Sequence, residues 1–173
     1  MKYEVEPIAY LKSCFKEKFA VPRQPGLAPS ARGEIHLTGP YNNIELVEGL
    51  ETCSHIWLQF VFHECLQAGW KPKVRPPRLG GNKKMGVLAT RSTHRPNGIG
   101  LSVVELKKIE QQGQQVILHI SGMDLIDGTP ILDIKPYIPY SDAIEEAGAG
   151  YAQEKPAPAL NISFSKQVKI LLN

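Results

Sequence analysis

Arg91 and Arg95 stand four residues apart in Arg91-Ser92-Thr93-His94-Arg95-Pro96-Asn97, a stretch dense in side-chain donors at a strand-to-turn junction. Guanidinium forks so placed suit carboxylate or phosphate oxygens, taken bidentately. The plainer reading is a pair of surface arginines. Asp124 and Asp127 flank a turn in Asp124-Leu125-Ile126-Asp127-Gly128-Thr129-Pro130. Asp127-Gly128 reads as turn chemistry, and Asp124 either does the same or accepts hydrogen bonds from a cationic or amine-bearing ligand. His63-Glu64 closes an apolar stretch, as a pocket wall or merely as an exposed strand end. His36, His55 and His119 lie in strand patterns, where satisfied face residues are commoner than ligands. Asp133 and Lys135 form a charge pair with a structural salt bridge as its plain explanation.

Several chemistries are excluded by what is missing. No GxGxxG follows a strand, and there is no Walker loop, HExxH or GxSxG. A Rossmann-type nucleotide enzyme is therefore not expected. Three cysteines, Cys14, Cys53 and Cys65, are an odd count without CxxC spacing, which argues against a disulfide framework or zinc finger and fits a reducing cytoplasm. Cys53 and Cys65 read as small buried hydrophobes. No metal is expected, and no run approaches the ~18 apolar residues of a membrane helix. The first residues lack the apolar stretch of a secretion signal, so the expected location is cytoplasmic.

Charge is distributed unevenly. The chain has 173 residues and a net charge of +3, yet residues 65–104 contain no Asp or Glu. They carry Lys71, Lys73, Arg75, Arg78, Lys83, Lys84, Arg91 and Arg95. Elsewhere 12 cations face 17 acids. A concentrated positive segment on an acidic body is the footprint of a polyanionic partner, nucleic acid above all; a solvated basic loop is the plainer alternative.

The elements that must position these groups are mostly short strands. Tyr3–Tyr10 alternates in polarity, Glu34–Thr38 forms a second strand, and Ser54–His63 is aromatic and apolar enough for a strand buried on both faces. Asn43–Leu50 reads as an amphipathic helix with Asn42 or Asn43 as N-cap. Residues 71–84 form a long loop, followed by a strand over Met85–Arg91. Leu101–Ile109 and Gln115–Ser121 flank Gln112-Gly113 as a hairpin, with Val116, Leu118 and Ile120 on one face. Thr129–Lys135 is the last strand. With no βα alternation, the expected class is mainly β, a single-sheet β-barrel with a few short helices and not Rossmann. Residues 1–140 would be the barrel, and residues 141–173 an exposed connector and C-terminal segment in which Ser165 caps a helix bearing Val168, Leu171 and Leu172.

Four stretches taken together resemble the TrmO family, also called TsaA-like or YaeB-like proteins. They are Phe-Lys-Glu-Lys-Phe-Ala-Val-Pro-Arg-Gln-Pro-Gly at 15–26, Arg-Pro-Pro-Arg-Leu-Gly-Gly-Asn at 75–82, Gly-Val-Leu-Ala-Thr-Arg-Ser-Thr-His-Arg-Pro-Asn at 86–97, and Asp-Leu-Ile-Asp-Gly-Thr-Pro-Ile-Leu-Asp-Ile-Lys-Pro-Tyr at 124–137. The resemblance implies a single-sheet β-barrel methyltransferase working as a homodimer, with S-adenosylmethionine near the subunit boundary. The implied reaction is methylation of N6 of the threonylcarbamoyladenosine at position 37, beside the anticodon of threonine tRNA. Carried over by position, Arg23, Gln24, Pro25, His63, Glu64, Arg91, Leu101, Ser121, Gly122, Met123 and Asp124 would contact the cofactor. The family commonly has Gln where this chain has Glu64 and Phe where it has His94. Bacterial members often carry a C-terminal extension that this chain, ending at Asn173, is expected to lack.

For the implied chemistry a base is needed, because the acceptor N–H lies between a purine and a carbonyl; the candidates are Asp124, His63, Tyr137 and Tyr140. Arg95 or Lys135 would meet the substrate's threonyl carboxylate. Lys71, Lys73, Arg75, Arg78, Lys83, Lys84 and Arg95 would grip the anticodon-stem phosphates. The alternative is a catalytically silent RNA-binding barrel using the basic loop 71–95; a third option keeps the cofactor site but methylates a small molecule or another RNA.

Overall fold

A computed structural model describes residues 1–156 and Ser163. Six strands close into an antiparallel barrel: β1 (Ala9–Ser13), β2 (Arg32–Leu37), β3 (His55–Val61), β6 (Ile99–Gln112), β7 (Gln115–Ser121) and β8 (Pro130–Pro136), in the order β1-β2-β7-β6-β3-β8. Two short strands, β4 (Lys73–Val74) and β5 (Met85–Gly86), make a separate pair inside the basic segment. Closure leaves the barrel itself without a free edge. Register shifts at Leu106/Lys108 and at Gln59/Phe60 supply the local bends that a small barrel needs.

Alternation builds the core. Leu11, Ile35, Ile56, Leu58, Val104, Val116, Leu118, Ile120 and Ile131 point inward and are almost fully buried. Each such side chain stabilises the fold by about 1.5–3 kcal/mol on leaving water. Gly100 is required where β6 passes the ring of Phe60, because a Cβ there would overlap that ring.

One end of the barrel is closed by residues 122–129. Met123 and Leu125 are fully buried. The Ser13 hydroxyl donates to the Leu125 carbonyl at 2.9 Å, and the Ser13 N–H donates to Asp127 Oδ1 at 2.8 Å. The Asp127 and Gly128 N–H groups donate to the carbonyls of Phe15 and Leu11. The opposite end is covered by 3-10 turns between Gly39 and Thr52, where Asn42 Oδ1 accepts from the Val116 N–H at 2.9 Å.

Several expectations need correction. The first strand is Ala9–Ser13, not Tyr3–Tyr10, because its partner β2 ends at Leu37 opposite Ala9. Asn43 does cap a turn, accepting from the Glu45 N–H at 3.0 Å, but the element is a 3-10 turn over Ile44–Val47. Gly49, with φ of 85°, breaks the chain before a second turn at Leu50–Thr52. β3 alternates rather than being buried on both faces, since Trp57 and Gln59 face outward and are half-buried. Only Met85–Gly86 of the expected 85–91 strand pairs; a 3-10 turn follows at Val87–Ala89. Cys53 and Cys65 are half-exposed and Cys14 is exposed, so none is a core residue. After β8 come a one-turn helix, α1 (Pro139–Asp142), and a 3-10 turn at Gly150–Ala152. The helix expected after Ser165 lies outside the described residues. Among the described residues no helix is long and apolar enough to cross a membrane.

Candidate functional site

The closing segment 122–129 carries Asp124, whose carboxyl is the one held high by burial among the described residues. Asp124 sits between the sunken side chains of Met123 and Leu125, and loss of water raises its pKa. The hydroxyl of Ser102, an inward residue of β6, donates to Asp124 Oδ1 at 2.6 Å and works against that rise, as does the charge of Arg91. Ser102 was not among the expected site residues. A small polar residue at an inward strand position, between Gly100 and Val104, was the available signal.

Backbone contacts bring the first loop to the same place. The Gly26 N–H donates to the Gly122 carbonyl at 2.8 Å, and the Gly122 N–H donates to Ala31 at 3.0 Å. Gly122 adopts φ of 72°, a left-handed conformation in which any side chain would be strained, with Gly26 and Pro29 at ordinary contact distance. Arg91 Nη1 donates to Gln24 Oε1 at 2.6 Å, tying this loop to the Arg91–Asn97 segment. Asn97 itself holds φ of 66° in the turn leading into β6. Gln24, Pro25, Gly122, Arg91 and Asp124 thus form one neighbourhood, with Arg23 exposed at its edge.

His63 lies at the same end, just beyond β3. Its ring faces Gly128, and its buried Nδ1 has no hydrogen-bond partner. Glu64 is engaged by Lys18, whose ammonium donates to the Glu64 carbonyl at 2.5 Å and lies 3.4 Å from Oε2. The carboxylate standing where the family commonly has Gln is therefore neutralised by a lysine of the first loop. His94 Nδ1 is likewise buried without a partner.

Other expected site residues are placed differently. The resemblance implies backbone contacts for Ser121 and Met123; the Ser121 hydroxyl turns to Glu105 Oε2 at 2.8 Å and the Met123 side chain is fully buried in the core, which leaves their backbone groups for a ligand. Leu101 is half-exposed on the outer face of β6, opposite to Ser102. Tyr137 packs on Trp57 and His55, at the far end of β3 from His63, and Tyr140 is 91% exposed. Neither tyrosine is brought to Asp124 within this chain. Lys135 pairs with Asp133 at 3.8 Å, as the plain reading had it.

Lys71, Lys73, Arg75, Arg78, Lys83 and Lys84 are all exposed. Among the described residues none of them is in an ion pair, although Arg78 donates to the Glu154 carbonyl. Arg95 is half-buried and donates to the Thr90 carbonyl at 3.3 Å, so Arg91 and Arg95 do not form a single clamp. The Lys71 N–H donates to the His94 carbonyl, which fixes the basic segment beside the Arg91–Asn97 turn. The strand histidines are satisfied on the outer face: His36 by Glu34 at 2.8 Å, His119 by Glu110 at 2.9 Å and His55 by Ser54 at 3.0 Å. Among the described residues no group of His, Cys, Asp and Glu is arranged to hold a metal ion.

Comparison with known proteins agrees with this geometry. The profile of the tRNA-methyltransferase O N-terminal domain matches residues 10–143. The chain is 54% identical over 167 residues to a tRNA (adenine(37)-N6)-methyltransferase of Escherichia coli, covering 96% of this chain and 71% of that protein. It is 54% identical over 169 residues to a Pseudomonas aeruginosa protein named as a putative S-adenosylmethionine-dependent methyltransferase, again covering 71% of it. A crystal structure of TrmO from Pseudomonas aeruginosa superposes with a TM-score of 0.76 at 50% identity, over 91% of this chain and 66% of that one. The chain belongs to the tRNA-methyltransferase O N-terminal-domain family, a family of S-adenosylmethionine-dependent tRNA methyltransferases.

Proposed function

We propose that this chain methylates N6 of adenosine 37 in tRNA, using S-adenosylmethionine, and that its substrate is the threonylcarbamoyl form of that base in threonine tRNA. The observation that carries the reading is the half-buried Asp124, held by Ser102 and faced by Arg91, in a chain of this family. The donor set fits the cofactor. A carboxylate acceptor suits its α-amino group and sulfonium charge, the Arg91 guanidinium suits its carboxylate, and the unpartnered His63 Nδ1 leaves a polar atom to be satisfied.

The cofactor, when bound, supplies an electrophilic methyl group. Gln24 and Arg91 hold the first loop over Gly122 and so shape the floor against which the acceptor base must align; positioning of this kind supplies much of the rate. Asp124 and His63 are the two candidate bases that the fold places at this end, and a carboxyl raised by burial is better matched to proton abstraction near neutral pH than an exposed one. The exposed cations of residues 71–84 lie beside the same turn and would take the anticodon-stem phosphates. Tyr137, Tyr140 and Leu101 would reach a cofactor only from a second subunit, in keeping with a homodimer. The site of action is the cytoplasm.

Calorimetric titration with S-adenosylmethionine, followed by methyl transfer to tRNA bearing threonylcarbamoyladenosine, tests the reading. One saturable site per chain and methylation of the modified but not the unmodified tRNA are expected. A folded chain that binds tRNA without binding the cofactor would overturn it in favour of a silent RNA-binding barrel.

A further inference from the structure

The acid-free basic segment has a mirror image. Residues 33–70 contain no Lys or Arg, and their carboxylates are Glu34, Glu45, Glu48, Glu51 and Glu64. Glu34 answers His36, and Glu64 answers Lys18. Glu45, Glu48 and Glu51 have no ion-pair partner among the described residues. Glu45 and Glu51 lie on the 3-10 turns that cover the barrel end away from the site, and Glu48 lies between those turns. Along β6 that end, at Ile109, is ten residues from the site end at Ile99, or roughly 33 Å of strand.

These glutamates rim apolar clefts. One cleft of about 590 Å³ is lined by Ile8, Leu37, Val47, Leu50 and Ile134 among others. A smaller one runs between Ile44, Val47 and Ile109 and carries all three glutamates. Val47 and Glu48 line both, so the two form a continuous surface, and no lysine or arginine lines either. Leu46 stands at its edge 63% exposed, and Ile44 is 41% exposed. Apolar clefts rimmed by charge of one sign match the two faces of an amphipathic partner.

We propose that this end of the barrel docks a basic amphipathic helix of a protein partner. Charge complementarity selects the occupant. Three unpaired carboxylates repel RNA, which the opposite end attracts. They also disfavour a second copy of this chain, since a two-fold axis would set the same acidic rims against each other. A closed barrel offers no strand edge for an added β-strand, so the groove takes a helix, its apolar side chains in the clefts and its cations on the rim. The glutamates set orientation and on-rate, and the apolar clefts hold the bound state.

The test uses a fluorescein-labelled 18-residue Leu/Lys peptide with leucines at helical i, i+3, i+4 spacing, titrated into the full chain by anisotropy at low and moderate salt. Its scrambled isomer and the Leu/Glu peptide of the same pattern serve as controls. Saturable binding is expected for the patterned Leu/Lys peptide, with about tenfold weaker binding by the scrambled isomer. Glu45→Gln/Glu48→Gln/Glu51→Gln and, separately, Leu46→Ser should each weaken it about tenfold while leaving affinity for S-adenosylmethionine unchanged. Both variants change exposed residues, and unaltered thermal unfolding verifies that they fold. Equal binding of scrambled and patterned peptides, or an affinity indifferent to both variants, would overturn the proposal. So would loss of self-association in Leu46→Ser by sedimentation, which would give the face to a second copy, or a loss of tRNA affinity in Leu46→Ser, which would give it to RNA.

Discussion

Removing the Ser102 hydroxyl should raise the titration of Asp124. The hydroxyl donates at 2.6 Å to a carboxyl already pushed up by burial, and Ser102 is itself 3% exposed, so water does not replace the lost donor. A hydrogen bond to a charged group contributes about 1.5–3 kcal/mol. Ser102→Ala therefore moves the Asp124 pKa further up. The chain has four aspartates, Asp124, Asp127, Asp133 and Asp142. Carbon-13 NMR of carboxyl-labelled aspartate therefore resolves the titration directly, with Asp124→Asn assigning the signal. The same shift should appear in the acid limb of kcat/KM, because a base must be ionised to act. Stability follows with a definite sign. A carboxyl whose folded pKa is raised favours the native state below the unfolded value of 3.8 and loses that contribution as pH rises through the folded value. The substitution enlarges the loss, so the variant is less stable than wild type at neutral pH and closes the gap as pH falls. Superimposable NMR titrations of wild type and a folded Ser102→Ala would refute the reasoning.

Three other perturbations probe the parts around this site. Gly33→Ala places a Cβ 2.5 Å from Met123 Sδ and 2.9 Å from the Lys12 carbonyl, which costs about 1–3 kcal/mol; calorimetry should show Tm falling by roughly 2–4 °C for each kcal/mol. Lys83→Gln with Lys84→Gln should weaken tRNA binding and reduce the slope of log K against log salt by about 1.5, whereas an unchanged slope removes this loop from the RNA surface. Asp127 has its pKa lowered by Lys16 first and by the Ser13 N–H, so its contribution is present above the unfolded value of 3.8 and lost as pH falls through the folded one. Asp127→Asn should cost less than about 1 kcal/mol at neutral pH, the pair being largely exposed, and should flatten the acid-induced loss measured by denaturant unfolding.

The barrel was legible because alternation survives in the long strands: β6 and β7 carry their inward residues at every second position, with Gly113 in the turn between them. Strand ends were not. Tyr3–Ile8 alternates as well as Ala9–Ser13 does, and only the length of β2 decides which residues find partners. A helical pattern over 43–50 gave way to two 3-10 turns because Gly49 takes a left-handed conformation that no hydrophobic pattern reports. Asp124 could be named from its motif, yet its burial could not, since burial belongs to the packing of Met123 and Leu125. Ser102 shows in the sequence only as a small polar residue at an inward position; its role exists only once β6 and the closing segment meet.

That meeting ties stability to chemistry in a way that one substitution separates. Burying a carboxylate is costly unless it is compensated, and the Ser102 hydroxyl, a backbone hydrogen bond and the charge of Arg91 offset only part of the cost at Asp124. The segment folds inward because Met123 and Leu125, both fully buried, contribute about 1.5–3 kcal/mol each and drag the carboxyl between them out of water. Asp124→Asn keeps the shape and an oxygen to accept from Ser102, and removes the charge. At neutral pH the variant should be more stable than wild type, by about 1.4 kcal/mol for each unit by which burial raises the carboxyl. Below pH 3.8, where both states of Asp124 are protonated, that advantage should vanish. The same variant should lose methyl transfer. A stability gain at pH 7 that disappears in acid, measured by chemical unfolding beside the loss of activity, identifies Asp124 as a group the fold tolerates for its chemistry. A neutral or destabilising effect at pH 7 would mean that Ser102 and Arg91 already compensate the carboxylate in full, and that the site is held by electrostatics rather than by its apolar neighbours.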